Sequence, residues 1–339
     1  MSQRGFITTK PPKKRSFVSL LLPIIVLLAL IIYILTMTLT YANTIMRQEA
    51  KPLDPFAINI LPRFDPLSFR SLDGQTTLTG WLLRTSKDPA RGTIVFVHDQ
   101  GQNRLPYGLD TADLYQFFTD EGFQVVAFDL RASGNSGGDL SSFGYMETED
   151  VLAAIAVAKR HTTSQRVLLF GLGSGTAAVL AAYDALPSRV NPDAATDSRL
   201  DELDIYRQDI YAVLLDTPAG LAADFIRAAV SSDAGFPLNI ILPWSLPLGV
   251  RLSAGNKPEI NLNKLATGVI CPMWITRNVP DNYLDNALSE RLIQERSRLY
   301  PETTRIYETP IEGHIAGYIL NRDAYFADLR AFFNQWFDS

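Results

Sequence analysis

A single cysteine, Cys271, stands among 339 residues, so the chain forms no disulfide within itself and no cysteine-only metal site. It precedes Pro272 in an apolar run, which reads as a buried small hydrophobe rather than a reactive thiol. The three histidines, His98, His161 and His314, are too scattered for a zinc motif such as H-E-x-x-H, and no metal is expected. Basic residues are not in excess: Lys and Arg number 31 against 36 Asp and Glu, for a net charge of −5. The only basic cluster is at the N-terminus, which argues against a nucleic-acid partner. No internal repeat is evident. Apolar residues are plentiful, at 47%, enough for one large globular domain and an appendage.

That appendage lies at the N-terminus. Residues 17–43 carry no charge, are rich in Leu and Ile, and are long enough to cross the ~30 Å hydrocarbon core of a bilayer. Arg4, Lys10, Lys13, Lys14 and Arg15 precede them in a basic tail, residues 1–16, without an acidic residue. The positive-inside rule places that tail in the cytoplasm and the bulk of the chain on the extracytoplasmic side. A cleaved signal peptide is the competing reading, with a cleavage signal at Thr40-Tyr41-Ala42. Its apolar region would far exceed the usual ~7–15 residues, so an uncleaved signal-anchor is preferred. Pro23 is tolerable inside a membrane helix. Residues 44–63, with Pro52, Pro55 and Pro62, read as an extended tether.

Residues 64–339 alternate strand and helix patterns. Leu67–Ser71 and Thr76–Arg84 flank Asp73-Gly74, a hairpin signal. Thr93–His98, Gln124–Leu130, Arg166–Gly171, Tyr211–Asp216, Val269–Arg277 and Thr304–Glu308 are short apolar strand candidates, separated by helical patterns such as Glu147–Arg160 and Thr176–Leu186. Continuous apolar strands between amphipathic helices predict an α/β fold with a mostly parallel central sheet covered on both faces, opened by an antiparallel hairpin. Residues 187–210, polar and charged, read as a surface insertion. Residues 219–267, with Pro237, Pro243 and Pro247 among large hydrophobics, read as a short cap or as core packing. The last helix, 322–337, carries Phe326, Leu329, Phe333 and Trp336 on one stripe facing the sheet.

Four local patterns fall in one order. Val97-His98-Asp99-Gln100-Gly101 follows the third strand. Asp129-Leu130-Arg131-Ala132-Ser133-Gly134-Asn135-Ser136-Gly137-Gly138 follows the fourth. Gly171-Leu172-Gly173-Ser174-Gly175 follows the fifth, where a G-x-S-x-G nucleophile elbow would lie. Asp281 and His314 follow the last two strands. Together these resemble the α/β-hydrolase superfamily over roughly residues 64–337, most nearly bacterial membrane-tethered members of its serine-aminopeptidase-like branch. The resemblance implies the α/β-hydrolase fold and an ester or peptide bond as the family's target. It also implies a triad in the chain order nucleophile, acid, histidine. Asp281 is the implied acid, with Asp216 as fallback, and His314 the base. The backbone N–H groups of Gln100 and Ser174 would form the oxyanion hole, in a loop that also holds His98, Asp99 and Gly101.

The chain departs from that pattern at the reacting centre. Gly173 stands at the nucleophile position, and Ser174 comes one residue late, its hydroxyl expected to face away from His314. Asp99 replaces a small glycine of the oxyanion loop and brings a negative charge toward a site built to hold one, unless it turns outward. A further family glycine is here Ala132. These changes predict a degenerate or atypical membrane-anchored hydrolase, with bilayer contact through residues 17–43 and a cleft for a small acyl or peptide ligand. The alternative is a working ester or amide hydrolase using Ser174 or a water activated by His314. A G-x-G-x-x-G dinucleotide or methyl-donor loop is the remaining reading of Gly171–Thr176. Thr176 occupies the third glycine position and the loop follows a middle strand, so no cofactor is expected.

Overall fold

The computed structural model describes residues 17–190, 197–231, 235 and 238–337. The basic tail, residues 1–16, lies outside the described residues. Helix α1 (Phe17–Met46) has 30 residues, about 45 Å at 1.5 Å per residue. The hairpin β1 (Phe64–Arg70) and β2 (Thr77–Leu83) turns through Asp73, whose carboxylate accepts the backbone N–H groups of Gln75 and Thr76, each at 2.8 Å. Then come β3 (Gly92–Val97), α2 (Thr111–Asp120), β4 (Phe123–Phe128), α3 (Glu147–His161), β5 (Val167–Leu172), α4 (Gly175–Ala185) and the short α5 (Ser198–Asp201). Next are β6 (Ile210–Asp216), α6 (Ala222–Ser231), α7 (Leu238–Ser253), α8 (Leu262–Gly268) and β7 (Met273–Asn278). The chain closes with α9 (Ala287–Leu299), β8 (Thr304–Thr309), α10 (Gly317–Leu320) and α11 (Arg322–Phe337).

The strands form one eight-stranded sheet in the order β1-β2-β4-β3-β5-β6-β7-β8. Pairing is antiparallel through β1, β2 and β4, and parallel from β4 to β8. The strand period of two sorts side chains by kind. Ile94, Phe96, Phe170, Leu214 and Trp274 point to an aromatic layer with Tyr115 and Phe118 of α2 and Tyr325 and Phe333 of α11. Their neighbours Val95, Val97, Leu169, Val213 and Ile275 point to an aliphatic layer with Val151 and Ile155 of α3 and Val179 of α4. Because both faces are covered, the strands read as unbroken apolar runs rather than as an alternation.

Outside the sheet, the turn after β4 is clamped by Arg131, which reaches Asp150 of α3 at 2.7 Å and the Ser71 hydroxyl at 3.0 Å, all buried. In that turn Ala132 takes φ +54°, the left-handed region that explains why the family pattern has glycine there. Residues 219–267 resolve into α6, α7 and α8. Of these, α7 packs along the C-terminal half of α1: the Thr38 hydroxyl donates to Ser245 Oγ at 2.8 Å, and a Cβ on Gly249 would lie 2.8 Å from Thr38 Cγ2 and 3.2 Å from Ala42 Cβ.

Candidate active site

Parallel strands end together, so the loops after β3, β5, β6, β7 and β8 meet at one edge. The bend from β5 into α4 is set by glycine. A Cβ on Gly171 would strike the α4 backbone at 2.8 Å, and one on Gly175 would strike the Val97 and His98 carbonyl oxygens at 2.7 Å. Gly173 at the tip takes φ +51°. Its N–H is fixed by the Asp216 carbonyl at 2.9 Å. The tip therefore takes the left-handed backbone of such a bend on a glycine, which adopts it without steric cost and presents no side chain.

Asp99 turns inward. Its Oδ1 accepts both the Ser174 N–H and the Ser174 Oγ–H, each at 2.8 Å. A Cβ built on Gly173 would stand 2.5 Å from that oxygen and 2.6 Å from Asp99 Cγ. The carboxylate thus fills the space a residue-173 side chain would enter, and sits at the N-terminus of α4, where helix geometry favours an anion. The Gln100 N–H donates to Ser174 Oγ at 2.9 Å. Both backbone donors expected of an oxyanion hole are thereby occupied by the protein's own oxygens. His98 holds the backbone of the same loop. It is fully buried and its Nε2 accepts the Leu130 N–H at 3.0 Å, which leaves Nδ1–H to donate to the Asp99 carbonyl at 2.8 Å. Burial pulls the His98 pKa down, in keeping with a neutral, structural ring. Gly101 (φ +70°) ends the loop against the side chain of Gln48.

On the facing loops, His314 Nδ1 and Asp281 Oδ2 are 2.8 Å apart. Asp281 Oδ1 accepts the N–H groups of Tyr283 and Leu284, so one carboxylate both closes its own loop and orients the imidazole. Asp216 is engaged elsewhere, accepting the Tyr325 and Thr217 hydroxyls at 2.8 and 2.9 Å, and burial pushes its carboxyl up to about 6. Burial alone would lower the His314 pKa; the Asp281 hydrogen bond and the charges of Asp99, Asp281 and Asp216 outweigh it, and the net direction is upward. A folded value above the unfolded one stabilises the protein fully below the histidine's ordinary 6.5, and that stabilisation is lost as pH rises through the folded value. In Asp99→Asn one of the raising charges is gone, so the His314 imidazole is expected to titrate at lower pH than in the wild type. Ring-proton NMR reads this directly, and an unmoved midpoint would show that the Asp99 charge does not act on the ring.

The Ser174 hydroxyl is therefore engaged by Asp99 and Gln100, and His314 Nε2, although buried, has no hydrogen-bond partner among the described residues. The loop ends bring Gly173, Ser174, Asp99, Gln100, His314 and Asp281 to one site, but among the described residues the Ser174 hydroxyl and the His314 ring are not hydrogen-bonded to each other.

No protein-family model matches the chain. Over 122 residues it is 31% identical to a protein of Escherichia coli O157:H7 described as Uncharacterized protein YfhR, a match covering 34% of this chain and 40% of that one. The chain thus spans two fifths of the length of the curated relative it matches. Solved structures cover far more of it. Esterase Pf2001 of Pyrococcus furiosus superposes with a TM-score of 0.64 at 15% identity, over 86% of this chain and 98% of the esterase. Est1E of Butyrivibrio proteoclasticus, solved with ferulic acid, gives 0.58 at 14% identity, over 80% of this chain and 100% of that one. An acylaminoacyl peptidase of Pyrococcus horikoshii gives 0.55 at 15% identity, over 84% of this chain and 44% of the peptidase. This chain has the α/β-hydrolase fold.

Within the α/β-hydrolase frame, two further residues that the sequence patterns did not single out stand near the site. Tyr283 lays its ring 4.6 Å from that of His314, centroid to centroid. Its only sequence signal was adjacency to the Asp281 loop. The Tyr107 hydroxyl is buried without a hydrogen-bond partner among the described residues, and the charges of Asp216 and Asp99 act on it. Burial raises its pKa well above the ordinary value, so the group is a neutral O–H donor. Nothing in the sequence around it marks Tyr107. Beyond Tyr283, a cavity of about 570 Å³ opens between α6, α7 and the loop leading into α9, with Arg227, Trp244 and Leu288 in its wall. Among the described residues no group of three or more His, Cys, Asp and Glu is placed to hold a metal ion.

Proposed function

We propose that this is a membrane-anchored α/β-hydrolase-fold protein whose cleft binds a small neutral acyl or peptide group without hydrolysing it. One observation carries the reading: the Asp99 carboxylate rests on the Ser174 N–H, in the place and on the donor a developing oxyanion would need. Like charge there opposes a tetrahedral intermediate and disfavours anionic ligands. The unpartnered Tyr107 O–H and His314 Nε2 leave two polar groups open, a donor for a ligand carbonyl and an imidazole for a second contact. The apolar helix α1 supports an anchor, and the basic residues before it support an extracytoplasmic position for the domain.

The full chain in detergent tests this. A fluorophosphonate probe is expected to leave it unlabelled, and short p-nitrophenyl esters to turn over equally slowly in the wild type and His314→Ala. Labelling that disappears in Ser174→Ala overturns the proposal. One observation favours a second reading, a water activated by the base: the Asp281–His314 pair is intact at 2.8 Å. A rate that collapses in His314→Ala without any labelling would install it.

A further inference from the structure

Helix α7 carries large apolar side chains on its outside. Ile240, Trp244, Leu248 and Leu252 recur every four residues, on one stripe, and are 59%, 81%, 52% and 40% exposed. Burial elsewhere in the domain does not account for them, since the opposite side of the same helix already packs Leu242, Leu246 and Val250 into the core. The stripe is continuous with a second exposed apolar surface, that of α1. Ile31, Ile34, Leu35 and Thr38 of α1 and Ser245, Leu248, Gly249 and Leu252 of α7 line one shared cleft of about 230 Å³.

The position along α1 matters. About 20 helical residues cross the hydrocarbon core. Counted from the last basic residues before the helix, Lys13, Lys14 and Arg15, that length ends near residue 35. Helix α7 is therefore docked on the half of α1 that lies inside the hydrocarbon and at its edge. Its chemistry suits that depth. Within Leu238–Ser253 Arg251 is the one charged residue, at the C-terminal turn, and it is drawn back to the domain, donating to the Lys257 carbonyl at 2.9 Å with Glu259 at 3.8 Å. Pro243 and Pro247 lie inside the helix, as membrane helices tolerate, and Trp244 is a residue type that collects at the lipid–water boundary.

The geometry points to α7 as a second membrane contact, a helix packed beside the anchor with Ile240, Trp244, Leu248 and Leu252 in lipid. This rests on the reading of α1 as a membrane anchor and is independent of whether the cleft is catalytic. The occupant is the bilayer and not another protein, because the stripe is continuous with a span that itself needs lipid, and because no charged residue breaks it.

The full chain in phosphatidylcholine–phosphatidylglycerol vesicles is the test. Flotation on a density gradient reports the anchor. Tryptophan emission in vesicles with brominated acyl chains, compared between the wild type and Trp244→Phe, isolates Trp244 from Trp81, Trp274 and Trp336. The expected result is flotation, with most of the Trp244 emission lost in brominated vesicles and none of that loss in unbrominated ones. Flotation with an unquenched Trp244 overturns the α7 proposal and leaves the anchor standing. Failure to float overturns both. An unquenched Trp244 in a floated chain that crosslinks to itself through α7 would assign the stripe to a second copy instead.

Discussion

The double variant Asp99→Gly/Gly173→Ser becomes reactive toward fluorophosphonates and gains esterase activity, while Gly173→Ser alone gains neither. The reason is space. A side chain added at residue 173 meets Asp99 Oδ1 at 2.5 Å and Asp99 Cγ at 2.6 Å, closer than real Cβ contacts come. Its third neighbour, Ile315 Cδ1 at 2.7 Å, is the far end of a flexible side chain that can move. Removing the Asp99 carboxylate clears the first two contacts and returns the Ser174 N–H to the oxyanion position. It also removes the opposing charge. Serine at φ +51° costs roughly 1–2 kcal/mol in backbone strain, small beside what a working nucleophile contributes. Loss of the serine from an intact triad costs about a millionfold in kcat, so even a fraction of that range is easily measured. A folded double variant that stays inert would show that the defect extends beyond these two positions. An active Gly173→Ser single variant would show that Asp99 does not obstruct the site.

Asp150→Ala should unfold the domain at markedly lower denaturant, at a cost of about 3–5 kcal/mol, because it leaves the buried Arg131 guanidinium without its closest counter-charge. Arg131 touches Asp150 at 2.7 Å, and its other acidic neighbours, Asp73 and Glu149, stand further off at 3.3 and 3.8 Å. The same contact holds the turn after β4, since the Arg131 N–H also donates to Asp150 at 3.0 Å. The half-exposed pair Arg84–Asp65 is the control. Although its ions are equally close at 2.7 Å, Asp65→Ala is expected to cost less than about 1 kcal/mol, since water screens the charges in both states. Equal losses in the two variants, by urea denaturation of the full chain in detergent, would contradict the role given to the buried ion.

Much of this architecture is legible in the residues alone. Apolar runs broken at regular intervals give the sheet, because a strand covered on both faces needs no polar side. The glycine frame around residue 173 gives the bend, because only residues without a Cβ pass that close to the neighbouring strand and helix. Asp281 and His314 each follow one of the last two strands, and parallel strands end together, so their loops meet at one edge, where the two side chains lie 2.8 Å apart. Each of these is a local requirement, satisfied by residues within a few positions of one another or by strand order.

The direction of Asp99 was not legible, and neither was the placement of α7. Asp99 faces inward onto the Ser174 N–H and Oγ–H, 75 residues away, in a loop whose carbonyl His98 holds. Helix α7 lies on α1 through a contact spanning 207 residues, Thr38 to Ser245. The chain alone determined that an α/β-hydrolase fold is present and that glycine stands at the tip of the bend after β5. Tertiary structure alone decided what fills that gap and which apolar surface stays uncovered, because both depend on groups that only folding brings within reach.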